Sequence, residues 1–202
     1  MPSSRIVHVV DDDEGVRRAL GLVLCAAGYA CRLHDSVVAF RAAPANGMTG
    51  CVVVRRPRLT GFDLQKWLKV LAVGPPVIVV SGRGDVAMAV SALKSGAFDF
   101  IEEPVDPAKL LAAVAAALDH RHRDVRRHAE IERVQKQLRT LSGREYEVLD
   151  RLLLGRPNKA IARDLGVSCR TIEVYRARLM LKMQAESLPG LVRMALMAGG
   201  ES

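Results

Sequence analysis

The sequence predicts an α/β doubly wound parallel five-stranded domain over residues 1–118, a helical linker over 119–140, and an all-α four-helix helix-turn-helix domain over 141–202. Three observations carry this. Short β-branched runs alternate with amphipathic helical segments as far as residue 118, the rhythm of a parallel sheet wrapped by helices. Between Pro107 and Leu141 there is no Gly and no further Pro, so nothing there breaks a helix. From Leu141 onward, Gly155, Pro157 and Gly166 divide the chain into short amphipathic segments.

Residues 6–10 form an apolar run ending in acids, a strand whose carboxyl end presents Asp11 and Asp12. Val16, Leu20, Val23, Leu24 and Ala27 recur at helical spacing over 14–27, and Gly28 ends that helix. Residues 29–34 alternate as a second strand, and Ser36 caps a short helix reaching residue 42. Gly50 opens Cys51, Val52, Val53 and Val54, a buried third strand ending at Arg55. After a loop to Gly61, Leu64, Trp67, Leu68 and Leu71 mark another helix. A fourth strand over 77–80 leads to Ser81, a helix is expected over 85–94, and a fifth strand over 98–101 precedes Glu103 and Pro104.

Two hundred and two residues suffice for one ordinary domain and a smaller second one. No apolar run reaches membrane-spanning length, and the opening Met-Pro-Ser-Ser-Arg lacks a signal peptide's apolar segment, so a cytoplasmic protein with no membrane partner is expected. Cys25, Cys31, Cys51 and Cys169 show no metal-ligand spacing and are expected to be reduced and mostly buried. No metal and no cofactor are expected. The net charge is +8, distributed as +2 over 1–118, +3 over 119–140 and +3 over 141–202, which suits a phosphate-backbone partner for the last third of the chain.

In open sheets of this kind chemistry gathers at the strands' carboxyl ends. Here those ends carry Asp11, Asp12, Arg55, Ser81 and Glu103, with Phe100 on the last strand. Together these positions resemble a response-regulator receiver domain over nearly all of residues 5–118. In that family two acids after the first strand bind Mg²⁺, an aspartate ending the third accepts phosphate, a Ser/Thr senses it, a lysine before a cis-proline contacts it, and an aromatic couples the site to the outer face. Asp11, Asp12, Ser81 and Phe100 match; Arg55 and Glu103 do not. The two departures reverse sign together, and Arg55 is expected to occupy the cation's place; drift in a disused pocket, with Arg55 turned to solvent, is the alternative. Val90 and Lys94 match the family's pairing and docking face.

Ile131, Val134, Leu138 and Leu141 recur at steps of three, four and three, a short coiled-coil seam by which the linker could pair with its copy, or else one side of a solvated helix. Beyond it, Ser142 and Glu145 form a capping-box pattern. A helix over 158–165, a turn at Gly166 and a helix over 169–183 follow. On the latter Ile172, Tyr175, Leu179 and Met183 face inward, leaving Arg170, Glu173, Val174, Arg176, Ala177, Arg178 and Lys182 outward, a mostly basic face suited to a major groove. The segment 157–178 resembles the FixJ/NarL type of LuxR-like output domain. That resemblance places Glu173, Val174 and Ala177 at base-facing positions, with Arg176 a further candidate from its helical position, and makes Thr171, Arg178, Lys182, Asn158 and Lys159 candidates for phosphate contacts. It implies that the final amphipathic helix, with Leu188, Leu191 and Val192, pairs two output domains, though its apolar face could also complete the core.

The expectation is therefore a phosphorylation-independent DNA-binding transcription regulator, not an enzyme, acting as a homodimer on double-stranded DNA, with a protein partner at the receiver face. Two alternatives stand beside it: an interaction protein that pairs with an intact regulator, and a regulator phosphorylated on Asp12 or Asp13.

Overall fold

The computed structural model describes residues 5–42, 49–55, 74–82 and 86–199. The chain divides into two compact units, 1–124 and 125–202. The first contains β1 (Ile6–Val10), α1 (Glu14–Ala26), β2 (Ala30–His34), α2 (Val37–Arg41), β3 (Cys51–Arg55), β4 (Val77–Ser81), α3 (Val86–Lys94) and β5 (Asp99–Glu102). The helix α4 (Pro107–Leu138) begins in the first unit and ends in the second. There it is followed by α5 (Gly143–Leu153), α6 (Asn158–Leu165), α7 (Cys169–Lys182) and α8 (Leu188–Gly199).

All five strands are parallel, in the order β2-β1-β3-β4-β5. This is the doubly wound sheet that the alternating pattern predicts. On β3, Cys51 and Val53 join Leu24, Leu110 and Val114 in one core layer, while Val52 and Val54 join Phe40 and Ala92 in the other. A strand covered on both faces reads as a continuous apolar run, and this one does. Because the strands are parallel, Asp11, Arg55, Ser81 and Glu103 arrive at the same edge of the sheet.

Some details differ from expectation. β5 begins one residue later, at Asp99, because the Phe98 N–H is drawn to Val77 O (2.8 Å) before the ladder starts at Ile78 and Asp99. The helix expected around Leu64–Leu71 and the loop over 56–61 lie outside the described residues. Cys51 is buried and Cys31 half-buried, but Cys25 and Cys169 are exposed, so the thiols are not mostly buried.

The coiled-coil seam is corrected. Val134 is buried with Leu149, Ile161 and Leu179, and Leu138 and Leu141 pack against the same cluster. Val134, Leu138 and Leu141 are thus spent inside the second unit's own core. Leu191 is likewise buried there, with Leu188 packed against it, which leaves half-buried Val192 and exposed Leu196 as the open apolar side of α8.

Gly50, which leads into β3, has φ +92, and a Cβ there would lie 1.8 Å from Ile6 O on the neighbouring strand. Backbone cannot yield as a flexible side chain does, so no other residue fits this approach of β3 to β1. Gly50→Ala is expected to destabilise the first unit by about 2–4 kcal/mol, read as a lowered denaturant midpoint of the full chain.

Candidate functional site

The pocket at the sheet's carboxyl edge is built around Asp11. Its side chain is fully shielded, 0% exposed. The backbone fixes it: Asp11 N–H donates to His34 O (3.1 Å), and Asp11 Oδ1 accepts from Asp13 N–H (2.9 Å). Asp13 in turn caps α1 by accepting from Val16 N–H (3.1 Å), and Arg17 Nη1 donates to Asp11 O (2.7 Å). His34 is itself anchored. Buried His8 donates Nε2–H to Thr49 O (3.2 Å), which leaves its Nδ1 to accept from His34 Nε2 (3.0 Å).

Arg55 emerges from β3 and bridges two carboxylates. Its Nη1 lies 3.5 Å from Asp11 Oδ2, and its Nε donates to Glu103 Oε1. Arg55 and Glu103 are 16% and 24% exposed, so the guanidinium does not turn to solvent. Glu103 follows β5, its N–H donating to Ser81 O (3.0 Å) and its peptide to Pro104 being cis. Room for its carboxylate exists because residue 82 is glycine: a Cβ there would sit 2.5 Å from Glu103 Oε2. Burial pushes the Asp11 carboxyl upward, against the Asp13 N–H and Arg55, which pull it down. Chiefly through the Glu103 hydrogen bond, the Arg55 pKa is raised above its usual value.

The other expected pocket residues stand around this triad. Asp12 is exposed beside Asp11. Ser81 is buried, its hydroxyl 3.5 Å from Met88 Sδ. Phe100 is half-buried against the core layer of Val52 and Val79. This donor set does not suit a divalent cation. Asp11 is committed to Asp13 N–H and Arg55, and the guanidinium fixes a positive charge where such an ion would need oxygens.

In the second unit, Gly166 at φ 66 turns α6 into α7, and Ser168 caps α7 by accepting from Thr171 N–H (3.1 Å). Ile172, Leu179 and Met183 are buried and Tyr175 half-buried. Arg170, Glu173, Val174, Ala177 and Arg178 line the exposed side of α7, with Thr171 half-buried at its start; Lys159 on α6 is exposed too. Arg170 and Glu173 pair with each other at 3.3 Å.

Two of the outward-facing cations are engaged within the unit. Arg176 Nη1 donates to Asn158 Oδ1 (2.6 Å), tying α7 to the start of α6. Lys182 Nζ donates to Glu145 Oε2 (2.7 Å) and to Thr140 O (3.1 Å). Glu145 is buried, and its carboxylate also accepts from Ser142 N–H (2.7 Å), completing the capping box of α5. Lys182 therefore pins the end of α7 to the entry of α5. The Ser142 and Glu145 pattern was legible in the sequence; the third partner, Lys182, lies 37 positions beyond Glu145 and carries no local signal.

The Lys182 hydrogen bond, followed by the Ser142 N–H, lowers the Glu145 carboxyl from 4.5 to about 2. With a depressed pKa in the folded state, this group contributes stability that is complete above about pH 4.5 and lost as pH falls toward 2. The contribution is about 2 kcal/mol once screening at the partly open Lys182 is discounted. Glu145→Gln is expected to remove that share at pH 7 and flatten the acid limb of the second unit's unfolding between pH 4.5 and 2, measured by melts across pH. Acid limbs of equal slope in both proteins would rule the node out.

A model of the response regulator receiver domain matches residues 7–115, and one of the bacterial regulatory proteins of the luxR family matches residues 139–195. The transcriptional regulatory protein FixJ of Azorhizobium caulinodans is 47% identical over 201 residues, covering 98% of this chain and 95% of that protein. FixJ of Rhizobium meliloti is 44% identical, with 96% of each chain covered. Among solved structures, the response regulator StyR is similar at a TM-score of 0.77 and 31% identity, over 94% of this chain and 97% of that one. Full-length FixJ from B. japonicum is similar at a TM-score of 0.54 and 39% identity, over 98% of each chain. With both halves matched in order and along their whole length, the chain belongs to the response regulators, as a FixJ-like, DNA-binding two-component regulator that joins a receiver domain to a LuxR-type helix-turn-helix domain.

Proposed function

We propose that this regulator binds DNA without phosphoryl transfer, an ion cluster centred on Arg55 holding its receiver unit in one state. The observation that carries this reading is the Arg55 bridge between buried Asp11 and Glu103. A guanidinium has no nucleophilic oxygen to accept a phosphoryl group, and it already occupies, through its own donors, the carboxylates that would otherwise gather a cation. Input then comes through expression level, a partner or a ligand. The surviving task of the receiver unit is pairing, for which α3 offers exposed Val86, Val90 and Leu93 beside Lys94. Dimers would set two α7 helices on half-sites one helical turn apart.

On the output side, Glu173, Val174 and Ala177 read base edges, while Lys159, Thr171, Arg170 and Arg178 hold phosphates. Arg176 and Lys182 act by positioning α7 through Asn158 and Glu145. Asn158 shares that role.

Three outcomes are expected. Untreated full-length protein, selected against random duplex DNA, enriches a two-half-site sequence, and a small phosphodonor with Mg²⁺ leaves both its intact mass and its affinity unchanged. A mass gain retained after Arg55→Ala would point instead to Asp12 or Asp13. Arg55→Ala leaves Asp11 buried without its cation and lowers stability by about 3–5 kcal/mol in denaturant melts. Arg178→Ala weakens every DNA sequence alike and makes the salt dependence shallower by about 0.9 log unit per log unit of salt for each protomer bound, whereas Glu173→Ala alters base preference at one position of each half-site.

A further inference from the structure

Neither the ion cluster nor the α7 face uses the cysteines, yet two of them lie on neighbouring elements. Cys25 stands in the last turn of α1 and is exposed; Cys31 lies on β2 and is half-buried. Between them the chain reverses tightly through Gly28 at φ +83, with Gly28 N–H donating to Cys25 O (3.0 Å) and Tyr29 N–H to Leu24 O (3.1 Å). The Cys31 thiol lies 3.7 Å from Gly21 O, on the helical turn just before Cys25 and on the same face. Beside burial, the neighbouring Cys25 thiol adds to the upward push on the Cys31 pKa. Cys51 is no rival: it and Cys31 flank Val7 on opposite sides, two strand spacings or about 9.6 Å apart, beyond disulfide reach.

We propose that Cys25 and Cys31 form a redox-switchable pair that closes to an intrachain disulfide, fastening the last turn of α1 to β2. The oxidant is hydrogen peroxide. The exposed Cys25 thiolate attacks the O–O bond; a sulfur–oxygen bond forms, hydroxide leaves and becomes water with the proton released by Cys25. The Cys31 sulfur then attacks the Cys25 sulfenic acid, the S–S bond forms, the S–O bond breaks, and a second water leaves with the Cys31 proton. Two thiols lose two electrons and the peroxide is reduced. Burial, with Cys25 adding to it, pushes the Cys31 thiol up to about 12, which assigns the first attack to Cys25 and the resolving role to Cys31.

The test uses the reduced, folded full chain, treated with hydrogen peroxide, quenched, denatured, alkylated and cut with trypsin. Both cysteines fall within the single tryptic peptide 19–32. That peptide is expected to escape alkylation and to weigh about 2 Da less than its dithiol form, the two lost hydrogens. In Cys31→Ser the Cys25 sulfenic acid persists and is captured by a dimedone-type reagent, while in Cys25→Ser the Cys31 thiol stays fully alkylatable. Alkylation of both thiols after peroxide, oxidised Cys25 beside a free Cys31, or a disulfide between two chains would each overturn the assignment.

Discussion

A carboxyl group shielded from solvent at the end of β1 sets the terms for the receiver unit. Asp11 cannot move outward, because its backbone is held by His34 and its Oδ1 by Asp13 N–H. Desolvation disfavours its charge, so a cation must approach or the carboxyl must take up a proton. Arg55 supplies that cation from the chain itself, and Glu103 holds the guanidinium in place from the far side. Gly82 follows from the same arrangement, since any side chain there would meet the Glu103 carboxylate. A cluster supplied wholly by covalently attached groups cannot dissociate, unlike a bound ion.

The second unit uses the same physics for a different end. Glu145 is buried, capped by Ser142 N–H and paired with Lys182, so a charge that would be costly alone becomes a joint between the entry of α5 and the end of α7. Arg176 and Asn158 make a second joint between α7 and α6. Together they orient α7 from both sides and leave Arg170, Glu173, Val174, Ala177 and Arg178 free to present an outer surface. A face that reads as mostly basic in sequence is thus divided between cations that hold the helix and residues that look outward.

Much of this was legible beforehand. The parallel sheet, the order of its elements and the convergence of Asp11, Arg55 and Glu103 follow from short buried runs with charged residues at their carboxyl ends, because a parallel sheet brings those ends to one edge. The opposed signs of Arg55 and Glu103 already suggested a pair. What local pattern could not supply was the use of each apolar stripe: Val134, Leu138 and Leu141 have the spacing of a seam, yet spacing is indifferent to whether the covering surface is a second chain or the helices that follow.

By itself, then, the sequence determined the fold class, the chemistry at each strand end and the inward and outward faces of α7, all of which depend on residue type and period. Only the tertiary structure decided that Asp11 shares Arg55 with Glu103 while Asp12 stays exposed, that Lys182 answers Glu145, and that Cys31 packs against α1 one turn from Cys25 and not beside Cys51. These are pairings between residues distant along the chain or separated by a turn. They are selected by distance and desolvation at a packed site, quantities that exist only once the backbone has closed.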